Sequence, residues 1–385
     1  MKLGCHVPRL RGHARNKAEA ASHAHASVEH GTHSKPKTAA MPNHRFMKWL
    51  RFHAIVCCLA LIAAGCDRSP KPNMTVFSGK TMGTYFTVKV VDPPRDVEPQ
   101  AIEQDITEQL DIVDSQMSTY REDSELSRFN RFDKTEWFPV SEHTYVVIAR
   151  AQEIGKLTGG ALDVTVGPLV DLWHFGPEKG QGIPDDERIA EALDMLGQDE
   201  ILFRPEPVAI RKERPEIRVD LSAVAKGYAV DLVAWSLLQQ GIQNFLVDIG
   251  GEVRARGVNQ SGMPWRLGVE TPISEGRAIQ TTVPLTDASM ATSGDYRNFF
   301  ELDGTRYSHI IDPRTGRPAA HRTASVSVIH DSCARADALA TALLVLGEEE
   351  GYSLAVEQNL PVLFIIREDD GFAERPTPAF EALGK

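Results

Sequence analysis

Residues 333–346 read CARADALATALLVL, an apolar stretch broken only by Arg335, Asp337 and Thr341. Such a composition reads as a buried helix that other elements must cover. Asp337 and Thr341 stand four apart, so a carboxylate and a hydroxyl share one helical face, about one turn from each other. Both are hard oxygen donors of the kind Mg²⁺ takes. Mg²⁺ is usually held by one or two carboxylates and completes its shell with waters and substrate phosphates. Taken alone, the pair fits a structural role equally well, because Asp and Thr also cap or hydrogen-bond helices.

Outward from this helix, the patterning alternates between short strands and amphipathic helices. Residues 76–91 alternate apolar and polar and read as a hairpin around 79–84. Residues 101–117 carry Ile102, Ile106, Leu110, Val113 and Met117 at helical spacing. Further helices are expected at 143–158, stopped by Gly159-Gly160, at 189–196, and at 223–240, stopped by Gly241. Strands are expected at 208–219 (two runs), 245–253, 265–270, 278–285, 289–292 and 324–330, with 361–367 closing the sheet. Residues 299–308 read as a hairpin turning at Asp303-Gly304. Helices and strands interleave without strict βαβ repetition. That predicts an α+β (mixed α/β) single domain over 76–385, a mixed sheet flanked by helices.

The N-terminal region reads differently. Residues 47–65 have the parts of a secretory signal: Lys48 and Arg51, then an apolar run over 54–64 that is too short to span a bilayer. The run ends in LIAAGC at 61–66, which resembles a bacterial lipobox and makes Cys66 the expected lipidation site. Residues 66–75 then form a lipid-anchored tether. Asp67 resembles the signal that keeps enterobacterial lipoproteins in the inner membrane, so the expected location is the periplasmic side of that membrane. Residues 1–46 fit no export signal and hold seven of the thirteen histidines; they read as an artefactual or unstructured extension, with translation starting at Met41 or Met47.

Residues 66–385 hold 32 Lys/Arg and 51 Asp/Glu, a formal charge of −19. That acidity disfavours nucleic acid as a partner. Only Cys66 and Cys333 remain there, so no disulfide framework is expected once Cys66 carries lipid.

Eight segments appear in order: GKTMGT at 79–84; MSTY at 117–120 with Ser124-Glu125 and Phe129-Asn130; GGALDVTVGPL at 159–169; DLSAVAKGY at 220–228; DIGGE at 248–252; TSGDY at 292–296; HIIDPRTG at 309–316; and Asp337 to Thr341. Together they resemble the ApbE family, the FAD:protein FMN transferases. The resemblance implies a periplasmic lipoprotein that binds FAD with Mg²⁺ and moves FMN onto a Thr or Ser of a target protein as a phosphoester, releasing AMP. It also implies targets among subunits of membrane redox complexes, such as sodium-pumping quinone reductases (Nqr-type) and Rnf-type complexes.

By the same resemblance, Asp337, Thr341 and the backbone carbonyl of Ala223 are the metal ligands. Met82, Ser118, Thr119, Tyr120, Ala161, Leu162, Asp163, Asp220, Lys226, His309 and Ile311 line the FAD site. Some relatives carry a second Asp where this chain has Ala340.

Plainer readings stand beside these. Asp220 suits an N-cap and Asp163 a turn. Lys226 suits a solvated face, Tyr120 and Met82 suit core packing, and Ala223 suits helix filler. His309 is the candidate for proton transfer, since imidazole titrates near neutral pH and an attacking hydroxyl must lose its proton; a structural histidine is the alternative. The same site would support hydrolysis of FAD to FMN and AMP, and a non-catalytic flavin-binding lipoprotein is a third reading.

Overall fold

A computed structural model describes residues 73–176, 182–273 and 276–384. The extension at 1–46, the signal at 47–65, Cys66 and most of the tether lie outside the described residues.

The domain is built on one eight-stranded sheet: β1 (Met74–Thr81), β2 (Thr84–Val91), β3 (Phe245–Ile249), β4 (Glu252–Arg256), β5 (Ala288–Gly294), β6 (Thr323–His330), β7 (Val362–Glu368) and β8 (Gly371–Pro376). Their order across the sheet is their order in the chain. Every neighbouring pair is antiparallel, so the sheet expected to be mixed is not. The α+β class holds. The long insertions bring the chain back to the sheet running the other way, as hairpins do, rather than as βαβ crossovers.

Among the described residues, eight helices accompany the sheet: α1 (Pro99–Met117), α2 (Glu125–Arg131), α3 (Glu142–Leu157), α4 (Gly167–Leu172), α5 (Asp186–Asp194), α6 (Ala225–Gln239), α7 (Cys333–Glu357) and α8 (Pro378–Glu381). The apolar residues that mark α1 in the sequence are the ones it buries. The stretch at 333–346 is the first part of α7, which breaks at Gly347 (φ 76°). A Cβ there would sit 2.5 Å from the His321 ring.

The main core lies between one face of the sheet and α1, α3, α6 and α7. Strand alternation divides β7 accordingly. Val362, Phe364 and Ile366 face that core, while Leu363 and Ile365 face a second one under the ribbon Trp265–Glu270/Ile279–Leu285. A third, small core of Leu169, Trp173, Ile189, Ala192 and Ile311 joins α4 and α5 to the 309–316 segment. There Trp173 Nε1 donates to the Gly316 carbonyl at 2.8 Å.

Local departures from the sequence reading have identifiable causes. Residues 245–253 are two strands, because Gly250 (φ 66°) and Gly251 (φ 102°) turn the chain between them. Residues 217–219 are not in a strand, and Ile201–Pro205 is. β8, not β7, forms the sheet edge. Helices α2 and α4 are too short to show a period. Among the described residues, no helix is long and apolar enough to cross a membrane.

Candidate active site

A cleft of about 2280 Å³ opens along the ends of β2 to β5 and runs between the 161–168 loop, the start of α6 and the 309–313 segment. It is larger than the roughly 300–1,000 Å³ of drug-sized pockets, leaving space for an extended dinucleotide.

The cleft gathers most of the residues singled out in the sequence: Thr119, Tyr120, Ala161, Leu162, Asp163, Asp220, Ala223, Lys226, His309, Ile311, Asp337 and Thr341. Two expected FAD contacts do not line it. Met82 sits at φ 48° in the β1–β2 turn, beside a separate shallow hollow. The Ser118 hydroxyl is turned back to its own chain, accepting from Tyr120 N at 3.2 Å and Arg121 N at 3.3 Å. It shapes the loop that presents Tyr120. Tyr120 is 82% exposed, which excludes the core-packing reading for its ring.

The chemistry at the cleft floor is set by how α6 meets α7. Asp337 is only 3% exposed. Its Oδ2 accepts from Gly227 N at 3.0 Å. In a regular helix that N–H would return to the carbonyl four residues back, Ala223. Diverted to Asp337, it leaves the Ala223 carbonyl without a hydrogen bond among the described residues. The approach is close: a Cβ on Gly227 would lie 2.4 Å from the Cys333 carbonyl oxygen and 2.8 Å from Asp337 Cβ. Only glycine fits between the helices.

The regular helix begins at Ala225, and residues 222–224 form a turn. The helix expected from 223 therefore starts two residues later. Asp220 holds that turn, its Oδ1 accepting from Ser222 N at 2.8 Å and Ser222 Oγ at 2.5 Å. Asp163 builds the same motif on Thr165, with distances of 2.7 and 2.5 Å. Burial raises the Asp163 pKa, and the Thr165 hydrogen bonds oppose it.

Lys226 projects between two acids. Its Nζ donates to Glu252 Oε1 at 2.5 Å. Glu252 starts β4 directly after the Gly250-Gly251 turn and is also 3% exposed. Its Oε2 is buried with no hydrogen-bond partner. Burial lifts the carboxyls of both Asp337 and Glu252, and Asp337 adds its own repulsion to Glu252. Burial alone would lower the Lys226 ammonium, but Asp337 and Glu252 outweigh it and hold its pKa above the usual lysine value. Two acids thus share one ammonium, and burial resists a second negative charge on them unless a further cation offsets it. Thr341 Oγ1 lies 3.1 Å from Ser293 Oγ of β5.

These oxygens suit a hard divalent cation: one carboxylate, one hydroxyl and one unpaired carbonyl, with further acidity close by. Among the described residues, no three His, Cys, Asp or Glu converge, so a cation here would rely on mixed oxygen donors. Glu252 and Ser293 were in the quoted motifs without a role. An acid placed directly after two glycines was the available signal for Glu252.

His309 is half-buried. Its Nδ1 lies 3.0 Å from the Asn298 carbonyl, which can only accept, so the neutral ring keeps its lone pair on Nε2. Burial lowers its pKa, against the Asn298 bond and Asp295. Arg314 is committed to the turn, bonded to Asp312 and Glu350.

The same fold carries solved flavin transferases. The chain is similar to the flavin transferase ApbE from Vibrio cholerae, with 45% identity, a TM-score of 0.75, and coverage of 81% of this chain and 99% of that one. It is also similar to the flavinyl transferase ApbE of Pseudomonas stutzeri in its apo form, with 37% identity, a TM-score of 0.74, and 81% and 97% coverage. Residues 82–364 match the model of the ApbE family, and the chain belongs to that family. Among its relatives, a Vibrio cholerae protein named FAD:protein FMN transferase is 47% identical over 323 residues, covering 83% of this chain and 95% of the relative. One of the same name from Haemophilus influenzae is 42% identical over 343 residues, covering 88% and 99%.

Proposed function

We propose that this protein transfers FMN from FAD to a Thr or Ser hydroxyl of a target protein, releasing AMP. Family membership supports the reaction. The observation that carries the mechanism is the buried Asp337 on α7, facing the cleft beside the unpaired Ala223 carbonyl and Thr341.

In this reading Asp337, Thr341 and the Ala223 carbonyl hold Mg²⁺. When bound, the cation withdraws charge from the pyrophosphate and orients it. Lys226 supplies a fixed positive charge at the same end of the cleft, and Glu252 keeps it there. Asp163, Asp220, Ala161, Leu162, Thr119 and Ile311 shape the walls that receive FAD. Tyr120 offers a flat ring at the rim. The target hydroxyl oxygen bonds to the phosphorus of the FMN half as the bond from that phosphorus to the bridging oxygen breaks. AMP leaves with the bridging oxygen, and the hydroxyl proton passes to His309 Nε2.

The N-terminal sequence supports a lipoprotein: a signal at 47–65, lipid on Cys66 and a short tether, with the domain at the periplasmic face of the inner membrane. A domain held there would meet Nqr- or Rnf-type subunits as targets.

The test is incubation of the purified domain with FAD, Mg²⁺ and a candidate target. Covalently labelled yellow target with equimolar AMP supports transfer. Free FMN and AMP formed at the same rate with or without target would make it a hydrolase, and no product at all would leave a carrier.

A further inference from the structure

Asp231 lies outside the cleft lining, yet it joins the three elements that build the cleft floor. We propose that Asp231 is a positioning residue for the cation-binding end of the site, an inference that rests on the reading of Asp337 and Thr341 just given. It projects from α6, four residues beyond Gly227. Its Oδ1 accepts from Cys333 N at 2.9 Å and from Arg254 Nη1 at 2.9 Å. Its Oδ2 accepts from Ser332 Oγ at 2.8 Å and from Ala334 N at 3.1 Å. A carboxylate has about four acceptor positions on its two oxygens, and here four donors meet it.

Cys333 and Ala334 are the first residues of α7 and Ser332 is its N-cap. Their N–H groups have no partner inside the helix, so an anion there is favoured by both hydrogen bonding and the helix dipole. The carboxylate therefore fixes where α7 begins against α6. Asp337 and Thr341 follow Cys333 by four and eight residues on the same rigid helix. A slide or rotation at its start moves both toward or away from the Ala223 carbonyl. Arg254 extends the tie to β4, two residues beyond Glu252 on the same side of the strand. One side chain thus sets α7 against α6, and β4 against both.

Asp231→Asn keeps the size but puts an NH₂ where two donors now point. The test is Mn²⁺ binding by the FAD-loaded protein, followed by electron paramagnetic resonance well below the melting temperature, with thermal melts alongside. Asp231→Asn is expected to weaken Mn²⁺ binding by about 10-fold or more, the range for residues that orient metal ligands. Ser332→Ala removes the N-cap hydroxyl while leaving the bonds from Cys333 and Ala334 to Asp231. It is expected to lower the melting temperature and leave Mn²⁺ binding within about twofold of wild type.

Wild-type binding in folded Asp231→Asn, with binding lost in Asp337→Ala, would overturn the positioning role alone. Equal weakening in Ser332→Ala and Asp231→Asn would reduce Asp231 to a helix cap and overturn it too. No Mn²⁺ bound by wild type would overturn this inference together with the metal-site reading.

Discussion

Gly227→Ala should injure the site without removing any group that performs chemistry. The added methyl would sit 2.4 Å from the Cys333 carbonyl oxygen, 2.7 Å from its carbon and 2.8 Å from Asp337 Cβ. Ordinary contact begins near 3.4 Å, so α6 and α7 must separate by about 1 Å. Backbone, not a flexible side-chain tip, blocks the way. Overpacking of this kind costs about 1–3 kcal/mol. Replacing a helical glycine returns up to about 1 kcal/mol. The expected net loss is about 1–2 kcal/mol. With about 2.1 cal/mol/K of unfolding entropy per residue over a domain of about 310 residues, that lowers the melting temperature by about 1.5–3 °C. The same movement weakens the Gly227 N–H bond to Asp337 and shifts the carboxylate against Ala223. A misplacement of about 1 Å can cost about 100-fold in rate. Flavin transfer to a target, followed by fluorescence of the protein band and compared with a melt of the same sample, measures both. A variant with wild-type stability and wild-type transfer would refute the close helix contact and its link to the site.

Asp337→Asn keeps the fold, because the amide oxygen still accepts from Gly227 N, and it is expected to lose at least about 1,000-fold in transfer rate; near wild-type turnover with intact metal dependence would reject Asp337 as a ligand. A proton acceptor must be neutral, and burial lowers the His309 pKa. The acid limb of the kcat/KM profile should therefore fall below the ordinary histidine value of about 6.5, and it should vanish in His309→Gln; an unchanged limb in that variant would assign it to another group. Lys212 is 0% exposed; its Nζ donates to the carbonyls of Ile217, at 3.1 Å, and Asn130, at 3.4 Å, and lies 5.3 Å from the Phe129 ring centroid, and burial lowers its pKa to about 8. Between that value and its unfolded value of about 10.4 the unfolded chain binds the extra proton, so this group makes stability rise with pH across that window. Lys212→Met should remove the rise and add about 1–2 kcal/mol at pH 7, at most the roughly 3 kcal/mol equivalent of the shift; urea melts at pH 7 and 10 that leave the rise in place would contradict the assignment.

Where the sequence was informative, the signal was local and repeated. The α1 positions from Ile102 to Met117 share one face, so their spacing alone located the helix and its buried side. Residues 76–91 and the Asp303-Gly304 turn were legible for the same reason. The floor of the cleft was legible only in part. Asp337 and Thr341 share a helix, so spacing could pair them. Nothing in the spacing brings Glu252 to Lys226, or Asp231 to Cys333, because those contacts cross from one element to another over 26 and 102 residues. The antiparallel sheet was hidden for a related reason, since the insertions between its strands contain the helices that suggested mixed connections. Ser118 shows the converse limit: its place in a recognisable motif gave it a ligand role, and nothing in the spacing showed that its hydroxyl oxygen also accepts two N–H bonds from the turn before α2. Asp163 fills its turn role and still lines the cleft; Asp220 does not cap α6, whose N-cap position is Val224, but closes a turn on Ser222 and lines the cleft as well.

The most direct measurement is anomalous diffraction from crystals grown with FAD and Mn²⁺. One peak touching Asp337, Thr341 and the Ala223 carbonyl, with the dinucleotide's phosphates completing its shell, is the predicted result. A fully occupied nucleotide with no ion against those three groups would contradict the account.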